Sequence, residues 1–318
     1  MAIAAVGQIC SSASMTHNLE QCVRLVSKAA AAGAKVLFLP EASDYIATSA
    51  AESLSLAKPV ATSPFVTGLQ SAAARHSVAV HVGIHVPVAV QALGPSAVSS
   101  PVLTSAPSSG GGDGATTKLY NRTIYIQEDG HIKEDASYDK LHLFDYASLR
   151  ESASAQAGPS FTPPFASPVG RVGSLICFDL RFPEAALALT KGAKFRDAPA
   201  QVLTYPSAFT VPTGRAHWEV LLRARAVETQ SWVVAAAQVG RHHGPGGRRV
   251  SYGRSMVVDP WGKVCAELKG VVGETDDAWE AEDGAVGQLG IVDIDLEQLA
   301  SVRERMPLIR RTDVYPEI

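Results

Sequence analysis

The chain has 318 residues, of which 46% are hydrophobic and 19% charged, enough apolar content for a sizeable core and too much for a disordered chain. With 28 basic against 31 acidic residues the net charge is −3, and no long stretch is strongly basic, which argues against a nucleic-acid or polybasic membrane partner. Apolar runs fall far short of the roughly 18 residues that a membrane span needs, and no signal or transit pattern is visible, so the expectation is a cytoplasmic protein.

In chain order, Ile3 to Ile9 alternates as a strand. Asn18 to Ala32 has helical periodicity, with Gly33 as its stop. Lys35 to Leu39 reads as a buried strand running into Pro40-Glu41, Ser63 to His76 as a helix and Val78 to Val86 as a strand. Leu119 to Gln127 and Ile132 to Asp135 flank Asp129-Gly130 as a hairpin. Arg171 to Cys177 is a strand and Pro183 to Lys191 a helix; Gln201 to Tyr205 is a strand and Ala216 to Thr229 a long helix. Strands at Trp232 to Gln238, Arg254 to Asp259, Lys263 to Leu268 and Gly287 to Asp293 follow, and Leu296 to Arg305 forms a last helix before Pro307. Alternating helices and strands with hairpins among them predict mixed sheets packed between helices. One segment, about 88–117, is rich in Ala, Ser, Pro and Gly and reads as a flexible surface insertion, not a boundary between domains. The acidic stretch from Gly273 to Gly284 looks similar in kind.

Four cysteines (Cys10, Cys22, Cys177 and Cys265) are scattered without a CxxC pair, which disfavours a disulfide framework or a zinc site. Cys177 lies where an apolar strand meets a helix opened by Pro183. Backbone N–H groups at such a junction favour a thiolate and hold an oxyanion, although a lone cysteine is more often a small buried hydrophobe. Glu41 stands where a buried strand runs out, a setting that suits a general base with a raised pKa. Lys140 alternates with apolar neighbours and Glu151 follows it, each readable also as an ordinary surface charge. No histidine offers itself as the base, and the pair His242-His243 lacks the further ligands a metal needs.

Leu39-Pro40-Glu41, Lys140-Leu141-His142-Leu143-Phe144-Asp145 and Ile176-Cys177-Phe178-Asp179-Leu180-Arg181-Phe182-Pro183-Glu184 resemble, in that order, the Glu, Lys and Cys signatures of the nitrilase superfamily of carbon–nitrogen hydrolases. The resemblance runs from Ile3 to about Pro316. It implies an α/β fold, a four-layer α-β-β-α sandwich of two mixed sheets face to face, formed by the whole chain, 1–318, as one domain. It also implies Cys177 as nucleophile, Glu41 as general base, Lys140 as the cation for the tetrahedral intermediate and Glu151 as the second glutamate that positions the site. The backbone N–H of Phe178, where the family commonly has tyrosine, would complete the oxyanion hole, and neither a metal nor an organic cofactor is needed.

Glu41-Ala42-Ser43-Asp44-Tyr45-Ile46-Ala47, Thr204 to Thr210, Thr213 to Gln230 and Tyr252 to Gly262 resemble the branch that hydrolyses deaminated glutathione to 2-oxoglutarate and cysteinylglycine. The competing readings are an omega-amidase, which releases ammonia from 2-oxoglutaramate, and a catalytically silent interaction partner. A small 2-oxo-amide substrate carries a carboxylate, for which Arg181 and Arg215 are candidates. Tyr45 is a candidate pocket wall or a core ring, and Glu219 a candidate to hydrogen-bond Lys140 or to orient the loop around His217. Family members usually assemble as homodimers or larger homo-oligomers, and the helix from Ala216 is the expected interface element.

Overall fold

The computed structural model describes residues 2–90, 116–146, 149–244, 246–275 and 278–316. Most of the expected insertion, 91–115, therefore lies outside the described residues.

Twelve strands form two six-stranded sheets. The first contains β1 (Ala2–Gly7), β2 (Val36–Phe38), β3 (Ala79–Val90), β4 (Thr116–Ile126), β5 (Tyr138–Asp139) and β12 (Leu289–Ile294), in the order β12-β1-β2-β3-β4-β5. The second contains β6 (Phe165–Ser167), β7 (Gly170–Ser174), β8 (Val202–Thr204), β9 (Trp232–Ala235), β10 (Met256–Val258) and β11 (Val264–Glu267), in the order β11-β10-β9-β8-β7-β6. Each sheet has a parallel centre, β1-β2-β3 and β7-β8-β9, with antiparallel strands outside it.

Strand alternation distributes the side chains between two environments. Ala4, Val6, Val36 and Phe38 of the first sheet meet Val172, Val202, Trp232, Val234 and Val257 of the second in one buried cluster between the sheets. The intervening residues, Ala5, Leu37, Val80 and Val82, face outward onto helices α1 (Met15–Ala31) and α3 (Pro64–His76), through Cys22, Leu25, Phe65 and Leu69. On the other side Leu203, Val233, Ala235 and Val258 meet Leu189 of α4 (Pro183–Thr190) and Trp218, Leu222 and Ala226 of α5 (Val211–Thr229). Three apolar layers between four layers of structure make this an α-β-β-α sandwich. A short helix, α2 (Ala50–Leu56), and α6 (Leu296–Arg305) complete the helices among the described residues, and none of these is long and apolar enough to cross a membrane.

Local signals explain most boundaries. Ser14 and Ser63 cap α1 and α3 through their side chains, and Gly33 takes the left-handed conformation after α1 (φ 77°). Helix α5 begins at Val211, earlier than the predicted Ala216, because Pro212 suits a first turn. The predicted hairpin around Asp129-Gly130 reduces to a single bridge, Ile126 to Ile132. The polar run Lys133-Glu134-Asp135 offers no apolar face, and a 3-10 turn forms over Glu134–Ala136 instead. The acidic stretch after Gly273 also differs from expectation: Val271–Val272 pairs with Glu280–Ala281, and Trp279 is buried with Val211 and Val239.

The strands on either side of the 91–115 segment pair with each other without a slip, from Val80 opposite Ile126 to Val90 opposite Thr116. Gly83 of β3 permits a second close approach. A Cβ there would stand 2.6 Å from Glu41 Cα, and Ser43 N–H donates to the Gly83 carbonyl at 2.9 Å.

Candidate active site

Glu41, Lys140 and Cys177 each follow the carboxyl end of a strand (β2, β5 and β7), where the polypeptide leaves the sheet and side chains from several strands converge. All three are buried. Lys140 Nζ lies 2.9 Å from Glu41 Oε1 and 2.9 Å from Glu151 Oε2. The Cys177 thiol faces the Glu41 carboxylate and lies within the field of Lys140. The structure therefore brings together all four residues singled out by the motifs.

Cys177 opens a 3-10 turn, Cys177–Arg181, with φ of 47°, a left-handed conformation that few non-glycine residues adopt. Such backbone persists only where its surroundings hold it. Here Cys177 N–H donates to the Pro206 carbonyl at 3.0 Å and Asp179 N–H to the Ile176 carbonyl at 2.9 Å. The turn aims the sulfur toward Glu41 and toward the backbone N–H of Ala208. Phe178 N–H, next in the turn, has no acceptor among the described residues.

The electrostatics follow from burial and pairing. Burial foremost, and then the Glu41 charge, push the thiol well above its ordinary range, against the opposing pull of Lys140. The thiol thus stays protonated at rest. Contrary to the raised pKa expected at this strand end, Glu41 is held below the usual range: burial works against its ionisation, but the Lys140 charge and hydrogen bonding by its neighbours, Lys140 and Asn121 among them, outweigh it. Burial likewise opposes the charge on Lys140, and the two carboxylates overcome it, holding the ammonium well above the usual lysine range. A neutral thiol beside a carboxylate and an ammonium is an arrangement for moving one proton and stabilising one developing negative charge.

Two further residues of the site, Asn121 and Asp179, are not marked out by the sequence as taking part in it. Asn121 on β4 donates from its side-chain nitrogen to Glu41 Oε1 (2.6 Å) and Glu151 Oε1 (2.9 Å). Asp179, two residues after the cysteine and fully buried, accepts from Ile176 N–H, from Tyr138 O–H and from both the backbone and the ring of His142.

The remaining candidates are placed differently. Arg181 donates to His217 Nδ1 at 2.9 Å, with its guanidinium over the Phe178 ring, beside the nucleophile turn. Tyr45 is a core ring, fully buried, stacked on His85 and bonded to the Ser53 carbonyl at 2.8 Å, and so not a pocket wall. Arg215 lies over the Trp279 ring, lining a cavity of about 270 Å³ with Tyr252 and Arg254. Glu219 is solvent-facing and pairs with Arg223 one helical turn on, while Lys140 is satisfied by Glu41 and Glu151. Among the described residues no group of three or more His, Cys, Asp or Glu could hold a metal ion, and all four cysteines are free.

A model of the carbon–nitrogen hydrolase family matches residues 3–304. The Schizosaccharomyces pombe protein named "Probable hydrolase nit2" is 39% identical over the full length of both chains. Human deaminated glutathione amidase is 38% identical over 98% of this chain and 83% of its own length. The crystal structure of the Caenorhabditis elegans NitFhit protein superposes with a TM-score of 0.76 at 34% identity, over 99% of this chain and 67% of that one. With a family match across nearly its whole length and a site in which the three signature motifs converge, the chain belongs to the carbon–nitrogen hydrolase family, on the branch resembling deaminated glutathione amidase.

Proposed function

We propose that this chain is a cysteine-dependent amidase that hydrolyses the 2-oxoglutaramate amide of deaminated glutathione. The observation that carries the reading is a buried cysteine turned toward a carboxylate that shares one lysine with a second carboxylate. The likeness to deaminated glutathione amidase supports the choice of substrate.

In the proposed cycle Glu41 takes the thiol proton as Cys177 attacks the amide carbonyl, since a thiol held above its usual pKa is ionised only in concert with attack. The new oxyanion is met by Lys140 and the backbone N–H of Phe178, an interaction stronger in the transition state than before it. Glu41 then protonates the leaving amine of cysteinylglycine, and the same carboxylate activates water to hydrolyse the thioester. Glu151 keeps Lys140 in place. Arg181, beside the nucleophile turn, is the proposed partner of the substrate's 2-oxo acid carboxylate.

The chain is proposed to act as one domain and as a homo-oligomer in the cytoplasm. The first is supported by the unbroken pairing across the 91–115 segment. Assembly is supported by an exposed apolar stripe on and beside α5, formed by Val220, Val227 and Trp261.

The deciding experiment compares kcat/KM for deaminated glutathione and 2-oxoglutaramate. Faster release of 2-oxoglutarate from deaminated glutathione, without ammonia, and a loss of more than about a thousandfold in Cys177→Ala are expected. A higher kcat/KM on 2-oxoglutaramate with ammonia release would make the chain an omega-amidase. Turnover of neither would leave a binding role.

A further inference from the structure

Asn121 occupies the centre of the charge cluster without carrying charge. Its carbonyl accepts the backbone N–H of Lys140 at 2.9 Å, which fixes β4 against the segment that bears the lysine. Its side-chain nitrogen donates to Glu41 Oε1 at 2.6 Å and to Glu151 Oε1 at 2.9 Å, and Lys140 Nζ reaches the same two oxygens at 2.9 and 3.1 Å. Two donors and two carboxylates thus close a ring behind the thiol.

The orientation of the amide is dictated by that ring. Turned over, Asn121 would aim its oxygen at two carboxylate oxygens, whereas as it stands both amide hydrogens have acceptors. Its Oδ1 is buried and has no donor among the described residues, an unfavourable placement that the two charge-assisted bonds from the nitrogen offset.

The neighbouring charges do not duplicate this role. Across the strand pair His85 stands opposite Asn121 and is engaged with Asp44 at 3.0 Å. Next along β4, Arg122 is bidentate to Asp139 at 2.7 and 2.8 Å. Cys177 faces Glu41 from the turn after β7, and Phe144 N–H reaches only Glu151, at 2.7 Å. One ammonium is therefore shared by two carboxylates, and two like charges in such a site ordinarily retain a proton between them.

We propose that Asn121 is a positioning residue that keeps Glu41 ionised and aimed at Cys177 in the presence of the second carboxylate, Glu151. A neutral double donor stabilises both anions, whereas a cation at this point would weaken Glu41 as a base. The inference rests on the reading of Glu41 and Cys177 as base and nucleophile.

The test uses the full-length protein and the pH dependence of Cys177 alkylation by iodoacetamide, followed by mass spectrometry, in the wild type, Asn121→Asp and Asn121→Ala. Asn121→Asp preserves shape but removes the donor. Asn121→Ala removes the donor without adding charge and covers the case that the aspartate variant does not fold. In either variant the acid limb of alkylation should rise by about one pH unit, and kcat should fall about tenfold or more with KM within about threefold. Profiles that superpose on the wild type in both variants would overturn the proposal, as would a wild-type Cys177 inert at every pH. A shifted limb in a protein that turns over neither amide would leave Asn121 in its role and remove the assigned substrate.

Discussion

Asp179 accepts from both the backbone N–H and the ring nitrogen of His142, at 3.0 and 2.7 Å. One carboxylate thereby ties the turn carrying the thiol to the segment carrying Lys140, and its other oxygen holds Tyr138 and Ile176. Asp179→Asn keeps the volume but turns an acceptor into a donor that faces other donors. Stability should fall by about 2–4 kcal/mol, as for a broken buried network, and kcat/KM should fall at least about tenfold. Urea denaturation and steady-state kinetics on the same preparation check both, and an unchanged variant would free the two segments from this link.

Lys140→Met should remove activity and lower stability by about 3–5 kcal/mol, because it leaves the buried Glu41 and the part-buried Glu151 without their cation. The sign of the pH dependence follows from the two shifts. Lys140 is raised, so its contribution is complete below about pH 10, the unfolded lysine value, and disappears only as pH rises through the folded value. Glu41 is lowered, so its contribution is complete above about pH 4.5 and is lost as pH falls through its folded value. Without the ammonium the two carboxylates hold a proton between them, so the variant loses stability as pH rises: the denaturation midpoints of wild type and variant should lie closest in acid and separate progressively toward neutral pH.

Two histidines set a separate acid limit. His81, between the sheets and bonded to Ser174 Oγ at 3.0 Å, is pushed down to about 3 by burial. His242, held by Ser11 and Ser251, is pushed down to about 3 by burial foremost and then by the nearby Arg249 charge. Both are neutral when folded and bind protons when unfolded, so their contribution is complete above about pH 6.5 and declines as pH falls toward 3. Each should add about 1.4 kcal/mol of lost stability per pH unit in that window. Urea unfolding at pH 7, 6 and 5 measures the slope, and the His81→Asn, His242→Asn double variant should flatten it.

The exposed stripe on α5 gives a prediction for assembly. Val220→Asp places a charge in a patch that a second copy would have to cover, at a residue 61% exposed and free of core packing. Light scattering on the eluted protein should show a smaller species than the wild type with the thermal midpoint of the subunit little changed. An identical mass would place the interface elsewhere.

The four motif residues were legible because each is announced by its own stretch of chain. Glu41, Lys140 and Cys177 sit at strand ends whose apolar runs identify them, and the resemblance orders them. Asn121 and Asp179 were not legible, since an asparagine in a strand and an aspartate after a cysteine acquire meaning only from partners brought close by pairing: 30 and 80 positions away for Asn121, 37 and 41 for Asp179. The same limit explains Tyr45 and Glu219, where proximity in sequence to a motif suggested a role that packing and a helical salt bridge took instead. Layers and element types were carried by periodicity, whereas the Ile132 to Asp135 strand failed because its alternation includes three consecutive charged residues.

The ladder between β3 and β4 has one more consequence. Because its last pair is Val90 and Thr116, the two ends of the 91–115 segment are held about 5 Å apart by the sheet itself. Closing a loop across a fixed gap costs little more as the loop lengthens. The position is thus a natural splice point: exchanging 91–115 for an Asn-Gly turn, or for an epitope or a small reporter domain, should leave the catalytic constants where they were.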